Sequence, residues 1–206
     1  LTGLTHRERV RLALALYHRY QFKIKENWPE FALLKSRTDL WSKFKPHDAT
    51  ARKIVSELHK DCVAVECKGA RFCERDNRTL ACRAFPFYPY FSREGELLGL
   101  GTYWIFADRC WLMSNMQVVE REFIKEFIAA YEYVFERDTG ELQAMKDHSA
   151  NHRRVATRNN QPIVLIAREG GFIKIMPRTH EVRPATERDI VKTGPYKNPR
   201  AYAKAV

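Results

Sequence analysis

Cys82-Arg83-Ala84-Phe85-Pro86-Phe87-Tyr88-Pro89-Tyr90-Phe91-Ser92, followed by Arg93-Glu94-Gly95, is the stretch on which the reading of the fold turns. Its second half is almost wholly aromatic and is broken twice by proline. Pro86 and Pro89 lack a backbone N–H and fix their own φ, so they forbid a helix and confine any strand here to a sheet edge. Arg93-Glu94-Gly95 has the character of a turn, and the spacing predicts a small hairpin of residues 87–92 and 96–100. The chain then runs through Gly99, Gly101, Tyr103, Trp104 and Phe106 to Asp108-Arg109-Cys110-Trp111.

Beyond this point the clearest helix is expected over about residues 118–136, where Val119, Phe123, Phe127, Ala130, Tyr131 and Val134 fall on one face. Asp138-Thr139-Gly140 closes it. Residues 141–160 are polar and rich in His, Asn and Arg, and read as a helix remnant or a linker. Within them His148 and His152 stand four apart, but no carboxylate is placed like the Glu of a metalloprotease, so the pair reads as a solvated face. Ile163–Ala167 and Phe172–Ile175 flank Glu169-Gly170-Gly171, a β-hairpin signal. From Met176 onward, with Pro177, Pro184, Pro195 and Pro199, a tail with little to bury is expected.

Toward the N-terminus, Thr5-His6-Arg7-Glu8 has the spacing of a capping box. Val10, Ala13, Leu14 and Tyr17 then recur at helical spacing, widened by Leu12, Leu16 and Tyr20. Asn27, Pro29 and Glu30 suit the start of a second helix, with Leu33, Leu34, Leu40, Trp41 and Phe44 as further apolar supply. Pro46 stops the chain. Asp48 starts another helix with Ile54, Val55 and Leu58 inward, which delivers His59 and Cys62. Residues 62–81 show little periodicity, many charges and Gly69, and read as loop.

All five cysteines lie in one region: Cys62, Cys67, Cys73, Cys82 and Cys110. The apolar run of residues 12–16 is short and follows Arg7, Glu8, Arg9 and Arg11, which is not the pattern of a signal peptide, and a cytoplasmic protein is expected. No window approaches the apolar length of a membrane span. Thiols bunched this tightly without an export signal point to a metal site ahead of a disulfide framework. The competing reading is that they are buried, reduced cysteines acting as small hydrophobes. Four converging thiolates suit Zn²⁺ or iron, mononuclear or as an iron–sulfur cluster. Cys62, Cys67, Cys73 and Cys82 lead as ligands, Cys110 is next, and His59 is a substitute. Lys68, Arg71, Arg75, Arg78, Arg83 and Arg109 surround them, with Arg83 the first choice for a donor to a thiolate.

The 206 residues are 45% hydrophobic and 12% aromatic, enough for a buried core, which excludes disorder throughout. The net charge is +11, and residues 146–206 hold 13 Lys or Arg against 5 Asp or Glu, so most of the excess sits at the C-terminal end. Such a tail suits nucleic acid, an acidic protein or an anionic membrane surface, or is simply solvated. No phosphate-binding glycine loop, dinucleotide fingerprint or GxSxG is present, and whether the chain is an enzyme stays open.

The cysteine pattern with Cys82-Arg83-Ala84-Phe85-Pro86-Phe87 and the later Cys110 resembles the YkgJ-type family of zinc- or iron-chelating proteins, over about residues 58–135. The Cys-Arg-x-Phe-Pro portion is its most specific part. That family's cluster ends in two adjacent cysteines, and here no two are adjacent. The resemblance implies metal binding and no particular reaction. The fold expected is α+β: a helical domain over residues 1–140 with an irregular cysteine-rich metal-binding insert at 58–111 and a short hairpin. Residues 141–206 add a linker, a C-terminal β-hairpin and a basic tail. The alternative is an accessory protein that binds nucleic acid or a partner through the tail or the hairpin's exposed edge, with the metal structural.

Overall fold

The computed structural model describes residues 20–25, 36–39, 41–56, 62–67, 78–108 and 110–197. The two helices expected over residues 5–19 and 27–35 lie outside them. Helices and sheets are both present, as an α+β chain requires, and they divide into two compact units, Leu1–Arg83 and Ala84–Val206. Residues 141–197 therefore share a unit with residues 84–140, where a boundary at 140/141 was expected.

In the first unit, β1 (Tyr20–Lys25), β2 (Trp41–Lys43) and β3 (Cys62–Cys67) form a three-stranded sheet in the order β1-β3-β2, antiparallel throughout. Two expectations are corrected here. Tyr20 opens a strand and does not continue a helical stripe, and Cys62–Cys67 is the central strand of a sheet and not a loop. Cys-Val-Ala-Val-Glu-Cys explains the second correction: Val63 and Val65 recur with the period of a strand and are β-branched, while the charges that suggested a loop lie mostly outside these six residues. Between β2 and β3 lies α1 (Ala49–Ser56). Asp48 caps it as expected, its Oδ1 accepting the Ala51 N–H at 2.7 Å. The short α2 (Leu80–Ala84) follows β3 in the described chain, with Cys82 N–H directed to Thr79 Oγ1 at 3.4 Å.

The second unit is a five-stranded antiparallel meander, β4 (Phe87–Phe91), β5 (Leu97–Thr102), β6 (Ile163–Ala167), β7 (Phe172–Ile175) and β8 (Val182–Ala185), in that spatial order. Both expected hairpins are present, and Pro89 sits on an edge strand as its missing N–H demands. β8 pairs with β7, so the C-terminal hairpin has no open edge: β5 covers one side and β8 the other. The stretch from Met176 to Lys197 is accordingly not a loose tail. Its Ile190 is buried, and Lys174 Nζ donates to Asp189 Oδ1 at 2.7 Å.

Between β5 and β6 come α3 (Arg121–Arg137) and α4 (Thr139–Asn159). α3 is the expected amphipathic helix, burying Ile124, Phe127, Ile128 and Tyr131. Its aromatic ladder meets β4 at both ends, Phe123 against Phe87 at 6.0 Å and Phe135 against Phe91 at 5.5 Å between ring centroids. α4 corrects the linker reading. Asp138 caps it by accepting the Glu141 N–H at 3.0 Å, and Ser149, His152, Arg153 and Ala156 are buried. Its most extensive contacts are to β4 and α3. Tyr88 and Tyr90 belong to a core with Ala156 of α4 and with Ile163, Leu165 and Ile175 of the sheet. All five residues of β4 are buried, which explains a run of apolar residues without polar alternation. Among the described residues no helix is long and apolar enough to cross a membrane.

Candidate functional site

The cysteines are spread over several elements. Cys62 begins β3 opposite Lys25, and Cys67 ends it opposite Trp41. Five residues of extended chain set their α-carbons about 16 Å apart at roughly 3.3 Å per residue. Sulfurs on one zinc ion lie within about 4 Å of each other. One ion therefore cannot take both while β3 is extended. Cys82 lies on α2, and it packs with Cys67 and Val63 against the buried pair Trp41 and Val65. Thus the strand end and the helix bring two thiols to one apolar neighbourhood. Arg83, the expected donor to a thiolate, directs its Nε to the Arg78 carbonyl at 3.1 Å.

Cys110 belongs to the second unit, where it precedes the 3-10 turn Trp111–Ser114 and gives its backbone N–H to the Phe106 carbonyl at 3.0 Å. Cys73, His59 and Arg109 lie outside the described residues. Among those described, no three of His, Cys, Asp and Glu gather as metal ligands.

A second cluster is one the sequence concealed. His148 and His152, one turn apart on α4, are turned into the second unit and not toward solvent. Trp104 stacks on both, at 5.1 Å and 28° from His148 and at 4.3 Å and 25° from His152. Tyr88 Oη is hydrogen-bonded to His152 Nδ1 at 2.8 Å, and the Tyr88 ring meets His148 edge-on at 4.4 Å. Burial pushes His148 down to about 4. Burial, then the neighbouring His148 and Arg153, pushes His152 down to about 3. Burial, with Tyr90 and Tyr103 adding to it, raises the Tyr88 phenol well above its ordinary value.

At neutral pH all three groups are thus uncharged. A general base works best with a pKa near the operating pH, and an imidazole at about 3 is far below it. The cluster can exchange hydrogen bonds and stack, and it is poorly suited to moving protons at neutral pH.

Beside this cluster lies a cavity of about 240 Å³. Trp104 and His152 line it together with Thr102, Met113, Met116 and Val164. The sequence did carry a signal for the buried face of α4: Met145, Ser149, His152, Arg153 and Ala156 recur at helical spacing. It was muted because only two of these five are apolar. No protein-family model, curated protein or solved structure matches the chain.

Proposed function

We propose that the chain is a metal-binding protein that holds Zn²⁺ or iron through cysteine thiolates in its first unit. The observation that supports this most is the shared packing of Cys67 and Cys82 against Trp41 and Val65. Thiolates are soft ligands suited to zinc and to iron–sulfur clusters, and two of them from separate elements in one apolar neighbourhood form the start of such a site. Cys73, which lies between them in sequence, is the natural third ligand. Cys62, at the far end of β3, serves a different ion or none. Cys110 belongs to the second unit and remains the next candidate. A bound ion would tie the end of β3 to α2 and stabilise the unit, as structural metals do.

The test is elemental analysis with a visible absorption spectrum on protein purified without air or affinity tag. Stoichiometric zinc without colour is expected for a closed structural site. Iron with a broad visible band would extend the reading to redox chemistry, and acid-labile sulfide would separate a cluster from mononuclear iron. Folded protein free of metal would overturn the proposal.

A further inference from the structure

The cavity beside His152 has three properties that together describe a ligand. The first is its charge. None of its lining residues is Asp, Glu, Lys or Arg, in a chain of net charge +11. The imidazole it contains is held neutral by burial. A charged ligand entering would lose water and meet no counter-charge in the lining itself, which is a penalty.

The second is its wall. Trp104 and His152 line the cavity while stacked on each other, so they present an aromatic surface. Met113, Met116, Val155 and Val164 supply the apolar remainder. A flat ring recovers the most contact against such a wall.

The third is the placement of polar groups. Tyr88 holds Nδ1 of His152, so Nε2 is the ring nitrogen left to meet a ligand. Thr102 also lines the cavity, and Asn159 and Gln161 are exposed at its rim. Uncharged polar groups set among apolar side chains are what orients a small molecule.

The wall of the cavity is also braced. Thr193 Oγ1 donates to the Ala107 carbonyl, and Lys192 Nζ donates to the Ser114 carbonyl. These bonds hold the segment carrying Val191 and Thr193, both of which line the cavity, to the turns that follow β5. The shape of the cavity is therefore held by separate segments of chain.

We infer that this cavity binds a small, uncharged, planar heterocycle, packed against the Trp104–His152 wall and hydrogen-bonded to His152. Size sets the class. A dry cavity of about 150 Å³ takes benzene, so the volume here suits one or two fused rings. The site lies in the second unit and uses none of the cysteines, so it stands whether or not the metal proposal does.

The test is an amide ¹H–¹⁵N titration of the full chain at pH 7.5 with indole, benzimidazole and purine, and with benzimidazole-5-carboxylate as the charged counterpart. At least one neutral heterocycle should give saturable shifts at Thr102, Val164 and Thr193. The carboxylate should bind at least about tenfold more weakly than benzimidazole. Val191 is 41% exposed and lines the cavity, so Val191→Phe should keep the fold while obstructing the space. With the amide spectrum of that variant otherwise intact, affinity should fall about tenfold or more. No saturable shift from any of the three heterocycles would overturn the inference. So would equal affinity of Val191→Phe, or equal affinity for the carboxylate.

Discussion

Tyr88 on β4 and His152 on α4 are 64 residues apart in sequence and joined by a hydrogen bond of 2.8 Å between Oη and Nδ1. Tyr88 is fully buried, and Trp104 stacks on the imidazole it holds. This one bond ties the sheet edge to the second long helix and sets the orientation of a ring that lines the cavity. Tyr88→Phe keeps the ring and removes the hydroxyl, leaving Nδ1 buried without its partner. A loss of about 1–3 kcal/mol is expected. Urea denaturation should show a lower midpoint with an unchanged slope.

Stability should fall steeply in mild acid. His148 and His152 have folded pKa values of about 4 and about 3, against 6.5 for an ordinary histidine. Between those values the unfolded chain binds more protons than the folded one, so stability rises with pH. The histidine contribution is fully present above the ordinary value and is lost as pH falls toward the folded values. Two protons taken up on unfolding give a slope of up to about 2–3 kcal/mol per pH unit near pH 5. Unfolding free energies measured at pH 7, 6 and 5 test this, and His148→Phe should remove about half of the slope. A flat profile would mean that the imidazoles are not buried as described.

Gly99 cannot be replaced without disturbing the sheet. Its φ is +148°, and a Cβ there would lie 2.1 Å from the Ile166 carbonyl oxygen, which belongs to the paired strand β6. Gly99→Ala should therefore cost more than the roughly 1 kcal/mol of an ordinary backbone penalty, and about 3 kcal/mol or more is expected. Thermal unfolding measures it. Gly170, whose added Cβ would meet nothing within 4 Å, is the control: Gly170→Ala should lose only the backbone term.

Much of the second unit was legible because its signals are local. The turn at Arg93-Glu94-Gly95 and the glycines at 170 and 171 mark two hairpins, and the aromatic stripe of α3 has a clear helical period. α4 was not legible, because its inward face is built from Ser149, His152 and Arg153, residues that sequence patterns count as polar. They are buried through partners supplied from afar: Ser149 Oγ accepts the Phe91 N–H at 3.0 Å, and Arg153 donates to the Phe91 carbonyl at 2.5 Å. β8 was hidden for a similar reason. Its residues are largely exposed, and only pairing with β7 makes them a strand. Of the cysteine site, the residues were readable and their distribution was not. A gap of four residues looks short in sequence, but extended chain turns it into a distance that no single ion bridges.

The metal proposal separates the cysteines by position. Cys67→Ser and Cys82→Ser should each remove most of the bound zinc or iron, since both thiols pack at the Trp41–Val65 pair. Cys62→Ser should leave a site at Cys67 filled, because β3 holds the two apart. Metal content per chain after gel filtration, with circular dichroism as a check on folding, distinguishes these outcomes. Loss of metal in Cys62→Ser but not in Cys67→Ser would place the site at the other end of the strand.

Synthesis from the N-terminus adds a consequence to the strand order β1-β3-β2. β1 and β2 leave the ribosome before the strand that pairs with both of them, so each waits without its partner until residues 62–67 emerge. The last strand to arrive is the one that zips the sheet, and it carries Cys62 and Cys67. Closure of the sheet and placement of these two positions in its central strand are therefore a single event in the life of the nascent chain. Before that event the unit exposes unpaired strand edges, the condition that invites aggregation and chaperone capture.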